Sequence, residues 1–482
     1  MAIVLHDTLT AAKRELVTLE PGKVRFYVCG PTVYDFSHVG HARCYVAWDV
    51  VVRHLRARGY EVKYVRNFTD VDDKIIKRAN ERGEDPVALA ARFARSFDED
   101  MDALGNLRPD VAPRVSEHLP QIVALIEDLV AKGFAYPATN GDVYYAVRKF
   151  PEYGRLSKRN LDDLLSGARV EPGEAKRDPL DFALWKAAKP GEPAWESPWG
   201  KGRPGWHIEC SAMTLAHLGV PIDLHAGGKD LVFPHHTNEI AQSVAAVGDG
   251  KTAESFCRQW MHNGFVEIDD QKMSKSLGNF FTIRDVLAKF DGEAMRFFLL
   301  GTHYRNPINF SDTILQEAER RLRYLYRTLE KVDRLAAGAS PAGRGGAAVE
   351  AARRALDDDF NAPQVLAVIA DAFTEANALA DRRGKKTPDE KASLAAFARD
   401  AREIGRTLGI LQRPPAEAIQ ALRAKASARR GIDAEDVEAR IAERAAARKA
   451  KDFARGDAIR DALLARGVAL LDGPDGTTWD VE

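Results

Sequence analysis

Short apolar runs alternate with amphipathic stretches over the first third of the chain. Residues 24–29 are rich in β-branched and aromatic side chains and stop at a glycine–proline pair, a pattern typical of a strand. Apolar residues recur at near-helical spacing over residues 38–58, and residues 61–66 again have the composition of a strand. A strand, a helix and a second strand in this order form a right-handed unit, so the pattern predicts a parallel sheet.

The pattern changes beyond residue 110. A helix is predicted over residues 119–132, and connections rich in proline, glycine and lysine continue to residue 205, which indicates an insertion in the α/β domain. From Asp312 onward the chain is alanine-rich, and its apolar residues recur at alternating intervals of three and four, as in packed helices.

The last third is predicted to be helical until a small C-terminal unit. Residues 336–346 have the composition of a flexible link, and Arg413-Pro414-Pro415 marks a boundary. Two apolar runs around the turn at residues 472–476 predict a terminal hairpin. The further predicted helices are 348–357, 362–382 and 388–409.

Composition and charge exclude several classes of protein. The chain has 482 residues, with 70 basic and 71 acidic side chains, so any nucleic-acid contact must come from a local patch. It has no apolar run of about 18 residues or more and no signal-peptide pattern, so we expect a cytoplasmic protein without membrane contact. Four cysteines are too few to crosslink a chain of this length and suit a reducing compartment.

Two histidines stand where the first strand meets its helix, in Ser37-His38-Val39-Gly40-His41. Amide groups at a helix N-terminus favour anions, and Gly40 allows a ligand to approach the backbone. The sequence therefore predicts a phosphate site that lacks the common G-x-G-x-x-G pattern. The alternative is a histidine pair that only forms hydrogen bonds within the domain.

A second candidate for phosphate binding lies far downstream, in Lys272-Met273-Ser274-Lys275-Ser276. Two lysines and two serines in a loop that glycine follows can donate hydrogen bonds to a polyphosphate. Taken alone, this segment is better described as a solvated surface loop.

Thiol, imidazole and carboxylate side chains form a candidate metal site. Its proposed members are Cys29, Cys210, His235 and Glu239. His235 and Glu239 are four residues apart and would share a helical face after Pro234, but the spacing leaves His236 open as well. Two thiolates with one imidazole and one carboxylate suit zinc better than magnesium or calcium. Cys44 and Cys257 have no partner motif and are predicted to be core residues.

The histidine and lysine motifs together, in this order, resemble the class I aminoacyl-tRNA synthetases. Three further segments resemble the cysteinyl-tRNA synthetase family over almost the whole chain. They are F-Y-V-C-G-P-T-V-Y-D at residues 26–35, R-N-F-T-D-V-D-D-K at 66–74 and G-W-H-I-E-C-S at 205–211. The chain departs from the family pattern at Thr237, where glutamate is common, and at Ala226, where a third glycine is common.

The resemblance implies a fold, a reaction and a set of site residues. It implies a Rossmann-type catalytic domain over residues 1–311, with an insertion at roughly 110–205, a helical bundle over 312–412 and an anticodon-binding α+β domain over 416–482. It further implies a monomer that joins L-cysteine to tRNA(Cys) at the expense of ATP, with magnesium accompanying the nucleotide. The implied roles are zinc binding by Cys29, Cys210, His235 and Glu239, ATP binding by His38, Gly40, His41 and Lys275, catalysis by His38, His41, Lys272 and Lys275, and substrate binding by Thr69 and Trp206.

The tail is the expected contact for tRNA. Residues 421–451 hold nine lysines and arginines against five acidic residues, and Phe453 and Trp479 are candidate stacking surfaces for unpaired bases. Without the resemblance, this stretch would be assigned to a solvated helix face.

Three other functions fit parts of the sequence. A cysteine ligase that acts on an amino sugar would share the zinc and ATP motifs but would lack the tail. A zinc hydrolase would be expected to carry H-E-x-x-H, which is absent. A tRNA-binding protein without activity would be expected to lose the lysine motif, which this chain keeps.

Overall fold

The protein is organised in two compact units. The computed structural model describes residues 2–160, 175–247, 252–268, 271–272, 280–343, 346–473 and 476–481. The first unit comprises Met1–Thr282, Thr302–Asn309 and Arg353–Val365. The second comprises Ile283–Gly301, Phe310–Ala352 and Leu366–Glu482.

Most of the strands lie in the first unit, and two form the end of the second. In chain order they are β1 (Val4–Asp7), β2 (Ala12–Glu15), β3 (Lys23–Val28), β4 (Glu61–Arg66), β5 (Ala135–Pro137), β6 (Val143–Tyr145), β7 (Phe182–Ala187), β8 (Gly202–Pro204), β9 (Ile222–Gly228), β10 (Cys257–Asn263), β11 (Val266–Ile268), β12 (Gln271–Lys272), β13 (Ile308–Asn309), β14 (Val468–Gly473) and β15 (Gly476–Val481).

Helices occur in both units. In chain order they are α1 (Val39–Ala57), α2 (Asp73–Arg82), α3 (Pro86–Ala103), α4 (Leu119–Ala131), α5 (Trp206–Leu218), α6 (Thr237–Val247), α7 (Ile283–Lys289), α8 (Gly292–Leu300), α9 (Asp312–Leu335), α10 (Ala347–Asp357), α11 (Ala362–Ala380), α12 (Pro388–Leu408), α13 (Pro415–Arg430), α14 (Ala434–Lys449) and α15 (Phe453–Ala465). Within the described ranges, no helix is long and apolar enough to span a membrane.

A parallel sheet forms the centre of the first unit, as the sequence predicted. Its strand order is β10-β9-β3-β4, and every neighbouring pair is parallel. In this order, the connection through α1 leads from β3 outward to β4 at one edge of the sheet, whereas the connection through α6 leads from β9 outward to β10 at the opposite edge. In such sheets, ligands bind at the carboxyl ends of the strands where the direction of the connections reverses, which is here between β3 and β9.

The insertion contains a second sheet that the sequence did not predict. Strands β5, β6, β7 and β8 form an antiparallel sheet in that order. Three of these strands have only three residues, which is too short for a periodic pattern. Tyr145 in β6 donates a hydrogen bond to the Ala241 carbonyl at 2.8 Å, so the insertion packs against α6.

The helices and the terminal hairpin predicted beyond residue 312 are confirmed. Helix α9 begins where Ser311 Oγ accepts a hydrogen bond from the Ile314 amide, and a capping box of Thr387 and Glu390 starts α12. Strands β14 and β15 pair antiparallel, with Leu470 opposite Trp479. Helices α13 to α15 and this hairpin share a small apolar core, which gives the C-terminal part the predicted α+β character.

Candidate active site

The carboxyl ends of the parallel strands bring the candidate residues together. Cys29 follows β3, Asn67 and Thr69 follow β4, and His225 lies in β9. The Cys29 amide donates a hydrogen bond to the Ala226 carbonyl at 3.2 Å, which extends the pairing of β3 with β9. Cys29 therefore lies at the point where the sheet topology predicts a ligand.

Gly30 allows two of these strand ends to approach closely. A Cβ atom at Gly30 would lie 1.5 Å from the Asn67 carbonyl oxygen, so no other residue fits there without a backbone shift. The Gly30 amide donates to Asn67 Oδ1 at 2.8 Å. The bend after β3 is thus packed directly on the loop that carries Asn67 and Thr69.

The four predicted metal ligands form one buried cluster. Ligand atoms of Cys29, Cys210, His235 and Glu239 all lie within 4.8 Å of one another. The two sulfur atoms are 3.8 Å apart, and His235 Nε2 lies 3.1 Å from Glu239 Oε1. All four side chains are buried, and two thiols, an imidazole and a carboxylate are a donor set typical of zinc.

A second set of four ligand atoms shares two members with the first. Cys29 and Glu239 also converge with His225 and His236. His236 Nε2 lies 3.2 Å from the Cys29 sulfur, and His225 Nε2 lies 2.9 Å from Glu239 Oε2. The geometry therefore keeps His236 open as a ligand, as the sequence did, and adds His225, which the sequence did not single out.

Proton affinities differ among the four side chains of the cluster. A hydrogen bond from Cys29 lowers the pKa of Cys210 to about 6, whereas burial raises the pKa of the Cys29 thiol. Burial disfavours charge on His235, but Glu239 and Cys210 outweigh it and raise its pKa to about 10. Burial of Glu239 is likewise outweighed by His225 and His235, which lower its pKa. Cys210 and Glu239 are thus the anionic members of the cluster, and a metal ion bound there would have to displace the protons of Cys29 and His235.

Neighbouring rings orient both candidate histidines. His207 Nδ1 lies 3.0 Å from His235 Nδ1, and the Trp206 indole stacks on His235 with ring centroids 4.4 Å apart. His236 Nδ1 lies 2.8 Å from His262 Nε2. Such contacts on the far ring nitrogen fix the orientation of metal-binding histidines. His207 and His262 could not be identified from the sequence because their partners lie far away along the chain.

The helix that carries Glu239 is preceded by a helical turn. Val232–His236 forms this turn and leads directly into α6 at Thr237. Within the turn only Phe233 has non-helical angles, φ −141 and ψ 132, so the helical path starts directly after it, at Pro234. Pro234 therefore lies in the first turn, as the sequence predicted, and His235 and Glu239 reach each other.

Thr69 and Glu209 lie next to the cluster. Thr69 Oγ1 donates to Glu209 Oε2 at 3.2 Å, and Asn67 Nδ2 donates to Thr69 Oγ1 at 3.4 Å. Asn67 Oδ1 in turn lies 3.8 Å from the Cys210 sulfur. Burial, together with the negative charges of Asp72 and Cys210, raises the pKa of Glu209 well above its usual range. The sequence did not single out Glu209, since a glutamate within a helix is most often exposed.

The two histidines of the candidate phosphate site lie on one face of the first turn of α1. His38 Nδ1 accepts from the His41 amide at 3.3 Å, and His41 Nδ1 accepts from the His38 amide at 3.1 Å. Their rings stack with centroids 3.8 Å apart, and Gly40 lies between them in the chain. The helix start is therefore capped by the two side chains expected to contact phosphate.

The segment after the lysine motif lies beside these histidines. The Val39 amide donates to the Phe281 carbonyl at 3.1 Å, and His38 forms a bridge with Thr282. The backbone of Lys272 belongs to β12, where it pairs with Glu267. Lys275 lies outside the described residues.

Matches to family models agree with this geometry. The model of the tRNA synthetases class I (C) catalytic domain matches residues 15–320. The model of the DALR domain matches residues 352–412.

Relatives match the chain from end to end. A cysteine–tRNA ligase of Anaeromyxobacter sp. (strain Fw109-5) is 80% identical over 482 residues. The match covers 100% of this chain and 100% of that protein. The chain belongs to the cysteine–tRNA ligase family. A member from Thioalkalivibrio sulfidiphilus (strain HL-EbGR7) is 53% identical over 475 residues, which are 98% of this chain and 99% of that protein. The family consists of class I aminoacyl-tRNA synthetases, so the predicted enzyme class is confirmed.

Solved structures of other synthetases share the fold of this family member. Methionyl-tRNA synthetase from Mycobacterium tuberculosis, in complex with methionyl-adenylate, has a TM-score of 0.57 at 18% identity, over 86% of this chain and 94% of that chain. The LeuRS of Agrobacterium radiobacter K84, in a ternary complex with tRNA and LeuAMS, has a TM-score of 0.57 at 15% identity, over 84% of this chain and 88% of that chain. The predicted class I fold is thus confirmed.

The tail of this ligase-family chain differs from the expectation at one residue. Trp479 is only 2% exposed, and its indole donates to Glu438, so it is not a stacking surface as predicted. Phe453 is 58% exposed and remains a candidate for stacking. Five of the nine basic residues bind other parts of the second unit: Arg423, Lys425, Arg429, Arg440 and Arg444. The other four are exposed: Arg430, Arg448, Lys449 and Lys451.

Proposed function

We propose that this chain activates L-cysteine with ATP and transfers it to tRNA(Cys), and that zinc bound by four side chains selects the amino acid. The observation that carries the proposal is the buried cluster of Cys29, Cys210, His235 and Glu239, which lies next to α1, where Tyr45 donates a hydrogen bond to the Cys29 carbonyl at 3.2 Å. The cluster suits a thiol ligand, and the helix start suits a phosphate.

The donor set explains how cysteine is selected over serine. The two amino acids differ only in sulfur against oxygen, and an apolar pocket rejects such near-isosteres by only about 10²-fold. Bound zinc supplies a soft acceptor for the substrate thiolate, whereas a serine alkoxide forms far less readily. Around that site, Trp206 packs on His235, and Thr69 adds a hydroxyl, so both are proposed to contact the substrate.

Adenylate formation requires positioning and charge stabilisation rather than a nucleophile from the protein. The carboxylate of cysteine attacks the α-phosphorus of ATP, and pyrophosphate leaves. We assign contacts with the phosphates to His38, Gly40 and His41. We assign stabilisation of the departing pyrophosphate to Lys275, with help from Lys272 and from magnesium bound to ATP. The pairing of Val39 with Phe281 supports these roles, because it holds the residues just after the lysine motif beside His38.

The domain roles follow from the same proposal. Residues 1–311 are assigned to catalysis, with the insertion at roughly 110–205, residues 312–412 to the helical bundle and residues 416–482 to anticodon binding. The four cysteines are free thiols, which supports the proposal that the protein functions in a reducing cytoplasm. The chain is proposed to act as a monomer, since the candidate site residues all come from one chain.

The test is exchange of labelled pyrophosphate into ATP with each amino acid in turn. Cysteine alone should support exchange, and tRNA should be dispensable for it. Charging of tRNA(Cys) in a second assay distinguishes this function from a ligase that transfers cysteine to an amino sugar. Exchange with another amino acid but not with cysteine would refute the proposal.

Whether His235 or His236 is the metal ligand can be tested by replacing each with asparagine. Under the proposed assignment, His235→Asn should lower zinc affinity by more than about 100-fold. His236→Asn should lower it by only about tenfold, because His236 then acts by supporting Cys29. Equilibrium zinc affinity, measured by competition with a chelator, reports on this directly. The reverse order would assign the metal to the set that contains His225 and His236.

The exposed basic residues at the end of α14 should contribute to tRNA binding. Arg448→Gln/Lys449→Gln should weaken tRNA affinity by roughly tenfold and make the slope of log affinity against log salt shallower by about 2, since two phosphate contacts are lost. Pyrophosphate exchange should be unchanged. The matched control is Arg383→Gln/Lys385→Gln, which neutralises one arginine and one lysine on the exposed connection between α11 and α12. Equal salt slopes for the two double variants would argue against a contact at α14.

A further inference from the structure

A buried acidic side chain near the metal cluster has no role in holding the metal. Glu209 lies in α5, directly before Cys210, and is only 1% exposed. Its Oε2 accepts a hydrogen bond from Thr69, but its Oε1 has no hydrogen-bond partner among the described residues. Because a buried polar atom without a partner is costly, the unpaired Oε1 next to the cluster of metal-ligand candidates points to a ligand group that completes it.

The surroundings of Glu209 favour a cation. The charged groups that act on it most strongly are Asp72, Cys210 and Asp70, all of which carry negative charge when ionised. In the described part of the chain, no lysine, arginine or histidine forms an ion pair with it. Burial and these neighbours favour the neutral acid in the absence of a ligand, so an anionic group would gain nothing there. A cationic group with N–H donors would favour the ionised form of Glu209 and would satisfy Oε1.

The substrates of the proposed function offer only one such group. ATP and the tRNA backbone are anionic, and the carboxylate of cysteine must remain free to attack phosphorus. We infer that Glu209 binds the α-ammonium group of the cysteine substrate. This inference rests on the proposed function and adds a second point of recognition beside the sulfur.

The local contacts place the two points of recognition next to each other. A chain of contacts runs from the Cys210 sulfur to Asn67, then to Thr69 and on to Glu209. In cysteine, the ammonium is carried on the carbon next to the one that bears the sulfur, so the two groups require neighbouring sites. With sulfur and ammonium both held, rotation of the substrate is restricted, and its carboxylate is oriented for the reaction.

Three thiols separate the contributions of the ammonium and carboxylate groups. L-cysteine carries both, cysteamine carries only the ammonium, and 3-mercaptopropionate carries only the carboxylate. Their affinities for the zinc-loaded protein are measured by calorimetry in the absence of ATP. Glu209→Gln keeps the shape of the side chain but cannot take up the negative charge that would pair with an ammonium group. The substitution should weaken the binding of cysteine and of cysteamine by about 30-fold or more. It should change the affinity for 3-mercaptopropionate by no more than about threefold.

Asp70→Asn is the matched control. It removes a neighbouring negative charge, but both Asp70 oxygens already have partners in Ser116, so it should leave the ratio of the three affinities nearly unchanged. Zinc content of both variants should equal that of the unmodified protein. Equal weakening of all three thiols by Glu209→Gln, or unchanged binding of cysteine, would overturn the inference.

The unmodified protein provides a test that does not depend on the folding of a variant. It should bind cysteine at least about 30-fold more tightly than 3-mercaptopropionate. Equal affinities would refute the ammonium contact while leaving thiol binding intact. Failure of all three thiols to bind zinc-loaded protein would instead refute the proposed function.

Discussion

Replacing Cys210 by serine should release zinc and abolish activation of cysteine. Serine nearly preserves the size of the side chain, but its hydroxyl is far less acidic than a thiol and is a poorer zinc ligand. Loss of a group that only supports a ligand costs about 10–100-fold in metal affinity, so loss of the ligand itself should exceed about 100-fold. Metal analysis of purified protein and pyrophosphate exchange with cysteine measure the two effects.

Cys257→Ser is the matched control for that substitution. Cys257 is also buried, but it lies in β10 and its sulfur contacts the Gln259 carbonyl at 3.2 Å, outside both sets of candidate ligands. Zinc content and exchange should therefore remain those of the unmodified protein. If Cys210→Ser retained zinc, the metal would be assigned to Cys29, His225, His236 and Glu239. If Cys257→Ser lost it, the ligand assignment would be wrong.

Substituting alanine for Lys275 should slow adenylate formation by about 10²–10³-fold, the usual cost of losing one group that stabilises charge in a transition state. Its ammonium is proposed to act where charge develops on the departing pyrophosphate. The affinity for cysteine should change little, because the lysine contributes in the transition state rather than in the ground state. Exchange rates at saturating cysteine, together with direct binding of cysteine, separate the two effects.

Lys289→Ala serves as the comparison for the lysine substitution. Lys289 lies in α7, is half exposed and pairs with Asp312 at 2.9 Å, an ion pair of the kind that contributes little to stability. This variant should retain full exchange. An unchanged exchange rate in Lys275→Ala would exclude the proposed role, and a comparable loss in both variants would indicate a general effect of removing a positive charge.

Sequence periodicity was sufficient for the long elements and failed for short ones. Helix α1, strand β4 and helix α9 were predicted within one or two residues, because each has several turns or alternations over which apolar spacing can be seen. The three-residue strands of the insertion have no such repeat, so their pairing depends on contacts with distant residues. The kink at Phe233, directly before the predicted helix start at Pro234, was not predicted for a related reason, since its extended angles are not evident from its neighbours in the chain.

The candidate site was only partly accessible from the sequence. The types of side chain suggested Cys29, Cys210, His235 and Glu239, because thiol, imidazole and carboxylate groups at these positions match zinc chemistry. His225 was not singled out, because a histidine in the middle of a strand has no local signal of function. Glu209 was not singled out either, because it lies in a helix of ordinary composition. Only its burial in the folded structure distinguishes it from an exposed glutamate.

What the sequence by itself determined is therefore local and chemical: the order of strands and helices, the histidine pair at a helix start and the donor types of a zinc site. Tertiary structure alone decided which side chains converge. It brought two sets of ligands onto Cys29 and Glu239, left one oxygen of Glu209 without a partner and buried Trp479, which the sequence had suggested as a stacking surface. The reason is physical: spacing along the chain determines which face of an element a residue occupies, whereas burial and pairing depend on what other elements pack against that face.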